Sequence, residues 1–241
     1  MESILTVSSQ EQGPLCELTK LIHEITDEEK YTNQDMLIRV LRARDLKVQP
    51  AYEMWQKWYR WRKDYRADEI TEEEMKEHIK TGKAFFFGED NEGRPCLIVR
   101  ARYHWPNQFA LEETMRYVIY LVEQGVKLAD EKHTGQMCVI YDRGDISSAN
   151  KDGNLIELGK GLAAMLQDFY AERLGAVYIL HVNWLYWLIF QAVKPLLNKK
   201  TRNKIHILRN VEGLKEHFNP SQLLVEYGGE NEFRCPYPER N

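Results

Sequence analysis

No run of apolar residues in this 241-residue chain approaches the roughly 20 that a membrane-spanning helix needs. Metal-type spacing is also missing: Cys16, Cys96, Cys138 and Cys235 stand singly, no CxxC pair occurs, and the seven histidines are dispersed. This spacing argues against a Cys/His metal site and against a disulfide framework in a chain of this size. The opening Met1-Glu2-Ser3-Ile4-Leu5 lacks the basic start and apolar core of a secretory leader. The sequence Asn219-Pro220-Ser221 is no glycosylation acceptor, because proline sits in its middle. Internal repeats and low-complexity linkers are missing too. A reducing compartment follows, and a soluble, cytoplasmic protein that touches membranes from outside is expected. No metal, no cofactor and no nucleic-acid partner are expected, and the chain is expected to be a monomer.

Against these absences stands one strong local bias. Residues 173–211 carry seven basic side chains and no acid, in a chain whose formal net charge is −4. Within them lies the apolar run Trp184-Leu185-Tyr186-Trp187-Leu188-Ile189-Phe190, followed by a stretch containing Lys194, Lys199, Lys200, Arg202 and Lys204. An apolar run beside clustered Lys and Arg suits contact with anionic lipid, where each cation near the surface adds roughly 1 kcal/mol. A buried core helix followed by a solvated basic turn fits the same residues.

The 43% hydrophobic content is enough for a packed core. The first 80 residues read as helical. Leu37, Val40 and Leu41 share one face of a helix and arginines another, and Met54, Trp55, Trp58, Tyr59 and Arg62 recur at helical spacing as a packing stripe. Thr71 followed by three glutamates reads as a helix start. From residue 84 the pattern changes to strand and helix in alternation. Ala84 to Phe87, Cys96 to Arg100, Gln136 to Tyr141, Ala176 to Leu180 and Lys204 to Leu208 read as strands. Leu111 to Ala129, Leu155 to Tyr170 and 184–197 read as helices. The expected fold class is α/β with a largely parallel sheet, in two parts: a small helical N-terminal region, 1–80, and an α/β lobe, 81–241.

Three motifs have competing readings. Gly159-Lys160-Gly161-Leu162-Ala163-Ala164 satisfies GxGxxA, but no tight strand leads into it and no strand-end acid follows about 20 residues on. Small residues that let helices pack closely account for it better than a nucleotide does. Asp142 ends an apolar run, where α/β sheets place chemistry, yet nucleophile elbow, HExxH and P-loop are all lacking, so an acid accepting loop N–H groups is the alternative. Glu172 and Arg173 form a charged pair before a strand. No nucleophile, metal or acid–base set survives, and the chain is not expected to be an enzyme.

Several segments together resemble the CRAL-TRIO lipid-binding family. They are Leu41 to Val48, Trp61 to Tyr65, Gly93-Arg94-Pro95, Asp142 with Gly144, Tyr170 to Gly175, Val193 to Leu197, Thr201 to Leu208 and Glu226 to Gly229. The resemblance covers roughly residues 35 to 230. It implies a helical region on an α/β lobe, a deep apolar cavity for one lipid, and a mobile gating helix, here Trp184 to Asn198. Trp184, Trp187, Leu188 and Phe190 would cover the cavity or meet lipid, with Lys194, Lys199, Lys200 and Arg202 at the membrane. Four members of the family's phosphatidylinositol headgroup cluster fall on Arg44, Glu172, Thr201 and Lys204. Cations and a hydroxyl suit the phosphodiester, and a carboxylate suits inositol hydroxyls.

Relatives that bind phosphatidylcholine use hydroxyl-bearing cavity residues. The resemblance sets Phe86, Leu97, Met137 and Val139 at several of those positions, where apolar groups leave the phosphate unpaired at about 1–3 kcal/mol per lost partner. Ala171, His181, Asn183 and Leu224 depart from the usual Pro, Asn, Pro and Pro. The implied function is uptake of phosphatidylinositol from a membrane leaflet and its transfer, or its presentation to a lipid kinase. Two alternatives share the fold: a binder of a sterol, vitamin or haem, with Tyr178 and His181 as candidate iron ligands, and an adaptor docking partners through acidic 69–77 and basic 194–209.

Overall fold

The structure, a computed structural model, describes residues 4–150 and 153–237. Met1 to Ser3, part of the opening read above for a leader, lie outside them. The helices α1 (Ser9–His23), α2 (Glu29–Thr32), α3 (Gln34–Ala43), α4 (Val48–Tyr65) and α5 (Glu72–Ile79) come first. Their ends are written locally. Glu11 reaches back to accept the Ser8 N–H at 2.8 Å, Asn33 accepts the Asp35 N–H at 2.9 Å, and Thr71 accepts the Glu74 N–H at 3.2 Å. The sheet-bearing part follows as β1 (Ala84–Glu89), β2 (Pro95–Arg100), α6 (Leu111–Glu131), β3 (Met137–Asp142), α7 (Leu155–Phe169), β4 (Leu174–Leu180), α8 (Trp184–Val193), α9 (Lys199–Asn203) and β5 (Ile205–Ile207).

The chain forms two compact units, one of residues 1–69 with 165–173, the other of 70–164 with 174–241. Packing thus divides it differently from the 1–80 and 81–241 segments suggested by composition. Met75 of α5 packs with Ala84, Leu97 and Tyr117, while Phe169 at the end of α7 stacks on Trp61, centroids 4.2 Å apart.

In the helical unit Leu18, Ile22, Leu37, Ile38, Leu41, Met54, Trp55 and Trp58 make one core, so the aromatic stripe is packing. The buried Trp55 Nε1 donates to the Tyr31 carbonyl at 3.0 Å, which removes the cost of an unpaired indole. Arg39, expected on the outer face with its neighbours, is buried instead.

In the other unit the strands lie in the order β1-β2-β3-β4-β5, with β1 antiparallel to β2 and the remaining pairs parallel. The β1–β2 turn falls at the Asp90 to Pro95 segment. Gly93 adopts φ 74° there, which costs glycine nothing, and Asp90 accepts the N–H groups of Glu92 and Arg94 at 3.0 and 3.1 Å. One sheet face is sealed: Cys96, Ile98, Cys138, Ile140, Ala176, Tyr178 and Leu180 are buried against Leu214, Phe218, Leu223, Leu224 and Tyr227. The other face is covered unevenly.

Candidate functional site

Period-two alternation puts Leu97, Val139, Val177 and Ile205 in one row of that second face and Val99, Tyr141, Ile179 and Ile207 in the next. At the β1–β2 end α6 covers it. Leu97 and Met137 are buried there with Tyr117, Tyr120 and Leu121, and Phe86 packs at the margin. A Cβ on Gly125 would lie 2.2 Å from the Met137 sulfur, so the missing side chain is what lets α6 approach this closely. Towards β5 the cover thins. Val99, Val139, Tyr141, Val177 and Ile205 are only half-buried, and Ile207 is exposed, although Ile179 among them is buried. Val, Ile and Tyr on central strands are thus left as an apolar surface partly open to solvent.

Of the four residues assigned to the cavity by resemblance, Phe86 and Val139 lie on this face and keep some exposure. Leu97 and Met137 belong to packed core beneath α6, and that assignment is corrected for them. Sequence reasoning missed Val99, Tyr141, Val177, Ile205 and Ile207. Their strand alternation was the available signal, but it marks a face and cannot reveal how well a helix covers it.

Next to this face lies α8. Trp184 is 75% exposed, Leu188 50% and Trp187 48%, while Phe190 is half-buried. Among its described residues none is buried. Full burial of one such side chain contributes about 1.5–3 kcal/mol, so this helix leaves several kcal/mol of apolar stabilisation unused. Asn183 opens it by accepting the Tyr186 N–H at 2.9 Å. The expected helix through residue 197 stops at Val193, because Pro195 has no N–H to continue the ladder. A 3-10 turn, Lys194–Leu196, follows. Asn198 then accepts the Thr201 N–H at 2.8 Å to start α9. Lys194, Lys199, Lys200 and Arg202 are all exposed. A hollow of about 410 Å³ opens beside the helix, lined by His181, Trp184, Trp187, Ile207, Leu208 and Arg209.

Two consecutive residues, Asp142 at the end of β3 and Arg143 just after it, tie this segment down. Asp142 is buried, with Oδ1 accepting the Gly144 N–H at 2.8 Å and lying 3.0 Å from His181 Nδ1. Its Oδ2 accepts from Arg102 at 2.8 Å and from the Tyr227 hydroxyl at 3.1 Å. Burial pushes this carboxyl up, but the Gly144 and His181 hydrogen bonds and the Arg102 charge outweigh it, leaving it below the ordinary aspartate value. Asp142 is thus a structural hub of the kind its loop-binding reading describes. Arg143, its neighbour, lies over the Tyr186 ring of α8, and Tyr186 in turn tilts against Tyr141 with centroids 5.9 Å apart.

The four headgroup candidates fall in both units. Arg44 caps α3, its guanidinium donating to the Ala43 carbonyl at 3.2 Å, and Glu172 sits at φ 57° on the turn after α7, where its charge acts on Arg42. Both belong to the helical unit. Thr201 lies on α9 and Lys204 caps it, in the sheet-bearing unit, with Lys204 Nζ donating to the Leu174 carbonyl at 2.6 Å. Half-burial is common to all four.

Two further readings meet the structure here. Tyr178 is buried on the sealed face, its ring among His206, His217 and Phe218, whereas His181 lines the hollow beside α8. They do not converge on one cavity, which removes the haem ligand pair. The GxGxxA segment lies inside α7. There a Cβ on Gly159 would contact Val193 at 3.4 Å and one on Gly161 would contact Met115 at 3.6 Å, so the small residues bring α7 close to α8 and α6.

This architecture has close parallels. A crystal structure of Sfh5 superposes with a TM-score of 0.74 over 95% of this chain and 90% of that one, at 16% identity, so the fold is shared. CRAL-TRIO domain-containing protein C3H8.02 of Schizosaccharomyces pombe is 29% identical over 213 residues, 85% of this chain and 47% of that protein. Phosphatidylinositol/phosphatidylcholine transfer protein SFH7 of Arabidopsis thaliana is 30% identical over 217 residues, 83% of this chain and 40% of that protein. The chain spans about half the length, or less, of these curated relatives. Residues 79–229 match the family described as CRAL/TRIO domain. With the sheet, the half-bare apolar face and the uncovered α8 all in that stretch, the chain belongs to the CRAL/TRIO domain family.

Proposed function

We propose that this chain binds phosphatidylinositol with its acyl chains on the half-bare sheet face, and exchanges it with membranes through movement of α8. The observation that carries this reading is that face beside a helix with four large apolar side chains exposed. In water such a helix is poorly placed, whereas at a bilayer surface Trp184, Leu185, Trp187 and Leu188 would enter the interface. The exposed cations 194–202 would meet anionic lipid. Lipid uptake trades burial in the bilayer for burial in the protein at about 25 cal/mol per Å² on both sides, so exchange needs no covalent chemistry.

Thr201 and Lys204 of the sheet-bearing unit are the headgroup residues in this proposal, and the apolar side chains Phe86 and Val139 disfavour a phosphatidylcholine phosphate. The bound lipid is then released into a second membrane or presented to a lipid kinase. Vesicles carrying labelled phosphatidylinositol or labelled phosphatidylcholine test the reading. Phosphatidylinositol alone should be recovered with the protein, and Lys204→Ala should cut its recovery about tenfold. Unchanged recovery in that variant contradicts the headgroup assignment, and recovery of neither lipid contradicts the function.

A further inference from the structure

We infer that a second, smaller hollow, between the start of β1 and the start of α6, is a binding site for a tetrahedral oxyanion, either free phosphate or a phosphate monoester. Its volume is about 130 Å³, and Lys83, Trp105, Asn107, Phe109, Thr114 and Asn154 are among its walls. That is more than one water fills and well under the about 300–1,000 Å³ of ordinary small-molecule pockets. It shares no lining residue with the hollow beside α8.

Three of its lining residues carry a side-chain donor with no acceptor among the described residues. Lys83 has no carboxylate partner. Its ammonium lies 5.7 and 5.5 Å from the ring centroids of Phe109 and Tyr117, which supply only part of what water would. The Trp105 Nε1–H is buried with no partner. Thr114 offers a hydroxyl without a hydrogen-bond partner among the described residues, its backbone N–H going to the Ala110 carbonyl at 3.0 Å. No acid is among the lining residues. The nearby Glu113 is committed to the Ala110 N–H at 3.0 Å.

Desolvation alone pushes Lys83 down to about 8, the response of a cation whose counter-charge is missing. His78, stacked on Phe109 with centroids 3.7 Å apart, is pushed down to about 4 by burial and then by the Lys83 charge. It stays neutral and adds no competing cation. An ammonium, an indole N–H and a hydroxyl on the walls of one small, acid-free hollow suit the oxygens of a phosphate group.

Calorimetric titration of the full chain in phosphate-free buffer, with sodium phosphate and separately with a soluble inositol monophosphate, tests the assignment. Saturable binding of one ion per chain is expected, weakened at least tenfold in Lys83→Met and severalfold in Trp105→Phe. Equal affinity for both probes identifies free phosphate as sufficient, and tighter binding of the inositol monophosphate identifies an esterified group; either supports the site. Lys83→Met should also melt higher than the unaltered chain without phosphate, since it removes an uncompensated charge, and should lose the phosphate-induced rise. Absence of saturable binding overturns the proposal, as does binding that persists in both variants. Binding lost in Lys204→Ala but kept in Lys83→Met overturns it as well, because the ion is then held by the headgroup residues.

Discussion

The guanidinium of Arg143 lies 3.8 Å from the centroid of the Tyr186 ring, joining the loop after β3 to the first turns of α8. A cation over an aromatic face is worth about 0.5–2 kcal/mol, the upper value when desolvated. The Arg143 Nε is buried without a partner, so part of that gain offsets its own desolvation. The ring face is what binds. Arg143→Ala should therefore speed exchange of a fluorescent phospholipid by about 2- to 20-fold, while Tyr186→Phe should leave the rate near that of the unaltered chain. Equal rates in all three proteins would show that this contact does not hold the helix.

Membrane attachment divides into two contributions that salt separates. Trp184→Ala and Trp187→Ala should each weaken vesicle binding at every ionic strength, since apolar burial is unscreened. Lys199→Glu with Lys200→Glu should weaken it strongly at low salt and little at high salt, because each cation near an anionic surface adds roughly 1 kcal/mol that falls off within a Debye length. Sedimentation with anionic vesicles at two salt concentrations reads both.

At the hub below α8, Asp142→Asn removes the charge that Arg102 faces at 2.8 Å. Breaking a buried pair from one side costs about 3–5 kcal/mol. The expected loss is near the low end, because Glu226 remains 3.0 Å from the same guanidinium. Denaturant unfolding measures it. A loss well under 1 kcal/mol would mean that the network is not structural.

Acid sensitivity should arise in the helical unit. Hydrogen bonds from Arg42 and then from Ser8 bring Glu11 down to about 2 from an ordinary 4.5, with Arg42 Nε 2.6 Å from its Oε1. A carboxyl lowered by folding stabilises the folded state above its unfolded value, and that contribution fades as pH falls from about 4.5 towards 2. Glu11→Gln should lower stability at neutral pH by about 1.5–3 kcal/mol and leave it unchanged near pH 2. A difference that persists unaltered at pH 2 would place the effect in packing rather than charge.

Much of this molecule could be read from residue order. Runs of β-branched and aromatic residues mark all five strands and Thr71 marks a helix start, because each is decided within a few residues. Long-range packing was less legible. That α5 joins the sheet and Phe169 the helical unit depends on partners far along the chain. Leu97 and Met137 differ from Val139 only in lying beneath Gly125 and α6. Tyr178 and His181 are three residues apart, but β4 ends at Leu180 and His181 turns to φ 54°, so strand alternation stops short of the pair. The unpaired donors around Lys83 carry no sequence signature, since Lys, Trp and Thr are ordinary surface residues until a hollow encloses them.

Native mass spectrometry of the purified chain, after incubation with vesicles of mixed phosphatidylinositol, phosphatidylcholine and sterol, tests the central claim most directly. One phosphatidylinositol per chain, lost when Val139 and Val177 are both changed to tryptophan, is the predicted result. A chain that emerges lipid-free, or carries only sterol or phosphatidylcholine, would contradict it.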